Sequence, residues 1–121
     1  MFGLRDWRII KVAGVSMAPA LNDGDFVIAE AGVSVGALSD GDIVVVDHPR
    51  FGAIVKAIGP VDGSGRRRLY GVSDRSTPAD ALGYVEPGGR VARARWRVGR
   101  RGIARIAPLR EQTGQKSGQQ K

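Results

Sequence analysis

Two residues far apart in the chain have the chemistry of a nucleophile and its base. Ser16 lies in Lys11-Val-Ala-Gly-Val-Ser-Met-Ala-Pro-Ala-Leu21, just before the turn signal Asn22-Asp-Gly-Asp25 and a β-branched run. Apolar residues leading into a small residue, a serine and a proline place the hydroxyl at a strand end. Gly14 allows a backbone conformation closed to side chains, and Pro19 stiffens the exit. A serine hydroxyl attacks a carbonyl only when a base takes its proton. Lys56 is the candidate base, standing alone among aliphatics in Ala53-Ile-Val-Lys-Ala-Ile-Gly59, with Ile54 and Ile58 on its face of the strand. Burial there disfavours the ammonium and lowers its pKa from about 10.4 toward neutrality, so that the amine can accept the proton of Ser16. The plainer readings are a β-turn that contains a serine and a strand lysine that extends its amine back to solvent.

The serine stretch resembles the nucleophile box of the signal peptidase I family of Ser-Lys proteases, Gly-x-Ser-Met-x-Pro-x-Leu followed by Gly-Asp. Gly14, Ser16, Met17, Pro19, Leu21, Gly24 and Asp25 all fall in place. Gly41-Asp-Ile-Val-Val45 resembles that family's Gly-Asp box, and Val55-Lys-Ala-Ile58 its Val-Lys-Arg-Ile box, with Ala57 where arginine is usual. The resemblance implies that Ser16 is the nucleophile and Lys56 the general base. It makes the Ser16 backbone N–H the oxyanion donor; Gly14, where some members carry a second donor hydroxyl, has none to offer. Met17 and Val15 fall among the residues that line the pockets for small side chains before the scissile bond. In Gly71-Val-Ser-Asp-Arg-Ser-Thr-Pro-Ala-Asp-Ala-Leu-Gly-Tyr-Val85 the family's last box is degenerate. Aligned on Gly83 and Val85, Ser76 takes the place of the serine that orients the lysine, with Thr77 as a rival, while Pro78 and Asp80 replace the bracing acid and arginine. The implied activity is removal of an N-terminal leader or signal segment from a client polypeptide through an acyl-enzyme, with no metal or organic cofactor. Within the family, the lack of an anchor makes the chain look like the short soluble branch similar to nickel superoxide dismutase maturation proteases.

Composition narrows the alternatives. Without cysteine there is no disulfide framework, thiolate ligand or thiol nucleophile, and the single histidine, His48, excludes a multi-histidine metal centre. Between Asp47 and Pro49 it reads as a loop histidine. The apolar run Val12 to Leu21 is interrupted by Gly14, Ser16 and Pro19, and nothing else in the sequence spans a bilayer. Met1 to Ile10 lacks the layout of a secretory signal. Typical members of the resembled family carry a transmembrane anchor, so the expectation here is a cytoplasmic or membrane-peripheral protein. The net charge of +7 is uneven, with −2 over residues 1–89 and +9 over residues 90–121. A basic segment of this kind suits an anionic membrane surface; nucleic acid is not the expected partner.

Turn signals about every ten residues, with few helical stretches, argue a mostly β protein. The expected strands are Asp6–Ala13, Asp25–Glu30, Gly41–Asp47, Ala53–Ile58, Arg66–Gly71, Leu82–Val85 and Arg90–Val98. Ile43 to Val46 suit a strand covered on both sides. Arg90–Val98 alternates Ala92, Ala94, Trp96 and Val98, expected to be buried, against an exposed cationic face of Arg93, Arg95 and Arg97. Together with the resemblance, this gives one compact antiparallel β domain of the signal peptidase or self-cleaving repressor type over residues 1–98, with few or no helices. Residues 99–121 form a basic, largely disordered tail, in which Gly99–Leu109 has the makings of a short amphipathic helix that Gly102 and Pro108 weaken. No internal repeat is evident. Two other functions fit parts of the sequence. A self-cleaving repressor shares the dyad but needs a DNA-binding domain and a cleavage site upstream, and only 15 residues precede Ser16. A non-catalytic homologue would use the arm Arg90–Arg110 to bind anionic lipid or nucleic acid, with affinity that falls steeply with salt.

Overall fold

Four consecutive aliphatic residues, Ile43 to Val46, cannot alternate between core and water, so their strand has to be covered on both faces. The computed structural model, which describes residues 6–14, 17–71 and 82–109, covers it that way. Ile43 and Val45 join a cluster with Val12, Met17, Leu21, Val27 and Val55, while Val44 joins Val35, Leu38, Ile58, Leu69 and Leu82 on the other side. Among the described residues the strands are β1 (Trp7–Lys11), β2 (Phe26–Ser34), β3 (Ile43–His48), β4 (Gly52–Val61), β5 (Arg67–Tyr70), β6 (Tyr84–Val85), β7 (Arg90–Gly99) and β8 (Gly102–Arg105), with a 3-10 turn at Val35–Ala37. They form one antiparallel sheet in the order β1-β2-β7-β3-β4-β5-β6, and β8 pairs with β7.

The sheet is strongly curled. Strands sit about 4.8 Å apart, so in a flat sheet β1 and β4 would be about 19 Å from one another. Instead Val12, just after β1, and Val55 of β4 pack in the same cluster. Arg67, 2% exposed, holds the far end of the curl. Its guanidinium donates to the carbonyls of Gly59 (2.7 Å), Val35 (2.9 Å) and Leu38 (2.7 Å) and pairs with Asp40 at 3.1 Å.

The fold contains a local repeat that the sequence reading did not register. Leu21-Asn-Asp-Gly-Asp-Phe-Val27 and Leu38-Ser-Asp-Gly-Asp-Ile-Val44 each enter a strand through the same turn. Asn22 N donates to Asp25 Oδ2 (2.9 Å) and Asp25 N to Asn22 O (3.0 Å); Ser39 N donates to Asp42 Oδ2 (2.8 Å) and Asp42 N to Ser39 O (3.0 Å). Gly24 and Gly41 adopt φ of +91° and +86°, which a side chain would resist.

Four expectations are corrected on β7 and beyond it. Trp96 is not buried: the β2–β7 register jumps from Ala29↔Ala94 to Ile28↔Trp96, and this bulge at Arg95 turns the rest of the strand over, leaving Trp96 37% exposed. The arginines are not a free cationic face either. Arg93 pairs with Asp42 at 3.6 Å, Arg95 with Glu30 at 3.7 Å and Arg97 with Asp25 at 3.9 Å. Nor does the folded part end at residue 98, or a helix follow it. Gly99↔Gly102 closes a hairpin, with Gly102 at φ +109°, and Ile106 and Leu109 pack against the first cluster. Leu109 N donates to Gly41 O at 2.8 Å. The expected tail beyond residue 109 lies outside the described residues.

The repeated turn gives a matched pair of substitutions. A Cβ at Gly24 meets nothing within 4 Å, whereas one at Gly41 collides with the Leu109 backbone. Gly24→Ala should lower stability by about 1 kcal/mol, from the backbone conformation alone. Gly41→Ala should lower it by at least about 2 kcal/mol. Equal losses in urea unfolding would mean that docking of residues 106–109 contributes nothing.

Candidate active site

Lys56 sits in the middle of β4, opposite Val44 of β3, on the strand face that carries Ile54 and Ile58. This is the surrounding the sequence implied, and it leaves the residue 5% exposed. Desolvation lowers its pKa below the ordinary value of 10.5. The neutral amine is therefore populated at lower pH than for a surface lysine, and a neutral amine is a base.

Lys56 also lines a groove of about 210 Å³, together with Ala53, Ile54, Val55 and Phe51 on the β4 side. The opposite wall is Ile10, Lys11, Val12 and Ala13, from the end of β1 into the serine box, and Met17 from within the box. The curl of the sheet brings these segments together across 40 residues of sequence. Met17, 1% exposed, has a second role in the core cluster, so its sulfur-bearing chain both packs the interior and floors the groove. Gly14 takes φ +88°, the conformation the sequence reserved for it, and its N–H donates to Asp23 Oδ1 at 2.7 Å. Val15, Ser16, Ser76 and Thr77 lie outside the described residues.

Strand edges are the other feature of the groove. β1 ends the sheet and pairs only with β2, and β5 joins β4 only from Ala57 onward. Among the described residues, β1 and the segment 52–56 of β4 therefore each offer an edge without a strand partner. An extended peptide between them can hydrogen-bond to either.

His48 takes no part in this site. Its Nδ1 accepts from the backbone N–H of Arg50 (3.0 Å) and Phe51 (3.4 Å), which leaves Nε2 to donate to the Leu82 carbonyl at 3.0 Å. It is not the loop histidine the sequence suggested: it is the last residue of β3, paired with Gly52 of β4 and partly buried, because the hairpin ladder runs one residue past Asp47, and it helps seat Phe51 at the groove. Asp23 is the residue that sequence reasoning passed over: it read as part of a turn signal, yet its carboxylate holds the backbone of the serine box. The available signal was an Asp in a tight turn, whose side chain habitually captures a nearby N–H.

Residues 5–69, more than half of the 121, match the model of the family described as Peptidase S24-like. The matched span contains Gly14, Ser16, Met17 and Lys56. No curated protein and no solved structure matches the chain.

The lowered Lys56 pKa has a consequence for stability. Between that pKa and 10.5 the unfolded chain binds a proton that the folded chain has released, so stability rises with pH across this window. Below the window the full penalty of burying the amine remains. Lys56→Met, of similar shape and no charge, should melt a few degrees above the wild type at pH 7, and the advantage should shrink as pH approaches 10.5. A variant that melts lower at every pH contradicts a desolvated Lys56.

Proposed function

The chain belongs to the Peptidase S24-like family, and from that premise we propose that it is a serine endopeptidase working through a Ser16–Lys56 dyad. The observation that carries this reading is the buried Lys56, its pKa lowered by desolvation, on the wall of a groove shared with Met17, the residue bonded to Ser16. The Ser16 hydroxyl attacks a peptide carbonyl while Lys56 Nζ takes its proton and delivers it to the departing amine. Water then hydrolyses the acyl-enzyme, with Lys56 accepting and returning a proton again. The Ser16 backbone N–H is assigned to the oxyanion and Ser76 to orienting Lys56.

The substrate is a polypeptide in extended form, laid between β1 and residues 52–56 of β4, and the pockets for small side chains before the scissile bond are assigned to Met17 and Val15. The finer reading follows the signal peptidase I resemblance: a leader removed from the N-terminus of a client protein, as in the maturation proteases of nickel superoxide dismutase. Family membership supports a second reading, in which the same groove takes a segment of the chain's own polypeptide and cuts it in cis. Against a purely binding role for the basic arm stands the neutralisation of Arg93, Arg95 and Arg97 by Asp42, Glu30 and Asp25.

An acylating inhibitor of the β-lactam or peptidyl type, followed by intact-mass measurement, tests the dyad. Wild type should gain one inhibitor mass, Ser16→Ala none, and Lys56→Met should react at least about 100-fold more slowly. Adduct on Ser16→Ala, or an undiminished rate in Lys56→Met, would remove the assigned residue from the chemistry. Self-cleavage would appear as loss of mass from the chain itself, at a first-order rate independent of protein concentration.

A further inference from the structure

Both tryptophans of the chain, Trp7 and Trp96, lie on one outer face of the sheet. The register aligns Ile9, Ile28, Trp96 and Arg105 in one row across β1, β2, β7 and β8, and Lys11, Phe26, Val98 and Ile103 in the next. Trp7 stands at the corner beside Glu30. Ile9 and Ile103 are 67% and 68% exposed, and Trp7, Phe26 and Trp96 are exposed as well. An apolar face of this kind, four strands wide, marks a contact surface. It exists because of the bulge at Arg95, which turns Trp96 and Val98 away from the core and toward Ile28 and Phe26.

We infer that this face docks on an anionic lipid surface. Its rim is mostly cationic, with Asp23 an exposed acid near Phe26 and Arg100. Lys11 Nζ stands 6.0 Å over the Phe26 ring and the Arg105 guanidinium 5.5 Å over Trp96, and Arg100 and Arg101 form the adjacent β7–β8 turn. The one acid on these strands' shared face, Glu30, is buried and paired with Arg95. An apolar centre, two tryptophans and a basic rim complement the boundary between acyl chains and negative headgroups. Apart from the paired Arg93, Arg95 and Arg97, residues 90–121 carry a net charge of +6, which adds attraction of the same sign. Because β1 has an edge without a strand partner among the described residues, its backbone is excluded from the depth of the hydrocarbon, and the face reaches no further than the boundary between headgroups and the upper acyl chains. Lys11 belongs both to this face and to the groove, so docking brings the groove to the membrane surface. The inference rests on the register and exposure of the face and stands or falls apart from the peptidase reading.

Since both tryptophans report on the face, intrinsic fluorescence of the full chain tests it. On vesicles of phosphatidylcholine with phosphatidylglycerol the emission should shift to the blue and be quenched by brominated acyl chains; vesicles of phosphatidylcholine alone should bind far more weakly. Ile9→Ser combined with Ile103→Ser, which leaves both fluorophores, should reduce the partition coefficient at least about tenfold with an unchanged circular dichroism spectrum. Absence of any shift on anionic vesicles overturns the inference. So does binding that bromolipid fails to quench and the isoleucine pair fails to weaken, which would be adsorption through the arginines alone. A dimer that the isoleucine substitutions dissociate, with no vesicle binding, would assign the face to a second copy of the chain instead.

Discussion

A strand that is apolar on both faces must be packed on both faces, and here one sheet supplies most of the cover. Burying an aliphatic side chain is worth about 1.5–3 kcal/mol, and β3 buries Ile43, Val44 and Val45. To keep Ile43 and Val45 dry, β1, β2 and the serine box have to fold across them, which is what curls the sheet. The groove is a by-product of that closure: it opens where the end of β1 and the open stretch of β4 approach without pairing. Residues 10–13 with Met17 and the lysine strand, far apart in sequence, are thereby set on opposite walls of one cleft.

Charge is arranged by the same closure. Nearly all the acids fall in the first 89 residues and about half the basic residues in the rest, yet the fold recombines them, seating three β7 arginines against Asp42, Glu30 and Asp25. Pairs at 3.6–3.9 Å that are partly exposed add little to stability on their own. Their effect is on register, because a slip of β7 would leave buried carboxylates without counter-charges, a far larger penalty. Gly99 belongs to this arrangement, since a Cβ there would stand 2.6 Å from Asp25 Oδ1. The bulge at Arg95 lets one strand serve acids on the inside at Arg97 and present Trp96 on the outside.

Much of this was legible in the sequence wherever a local signal sufficed. The run Ile43–Val46 announced a strand covered on both sides, Gly14 a backbone in the left-handed region, and Lys56 a lysine among aliphatics; the structure bears out all three. What was illegible depends on pairing. Strict alternation through Arg90–Val98 gave no warning of the bulge, because the extra residue is defined only against β2. Gly99–Leu109 reads as a weak helix in isolation and becomes a strand because β7 offers an edge, and Gly41 a landing place for Leu109. The twin Leu-x-Asp-Gly-Asp turns were in plain view but share too few residues to stand out until their hydrogen bonds coincide. The span matched by the Peptidase S24-like family contains the serine and lysine boxes and ends before the last box.

The dyad chemistry depends on Lys56 being an amine that gives up its proton more readily than a surface lysine. The chain has four lysines, Lys11, Lys56, Lys116 and Lys121, so a pH titration of lysine side-chain carbon-13 and nitrogen-15 shifts by nuclear magnetic resonance, assigned with Lys56→Met, resolves each one. Lys56 should titrate clearly below the ordinary lysine value of 10.5. A Lys56 that titrates at that value would leave Ser16 without a base and the groove without its chemistry.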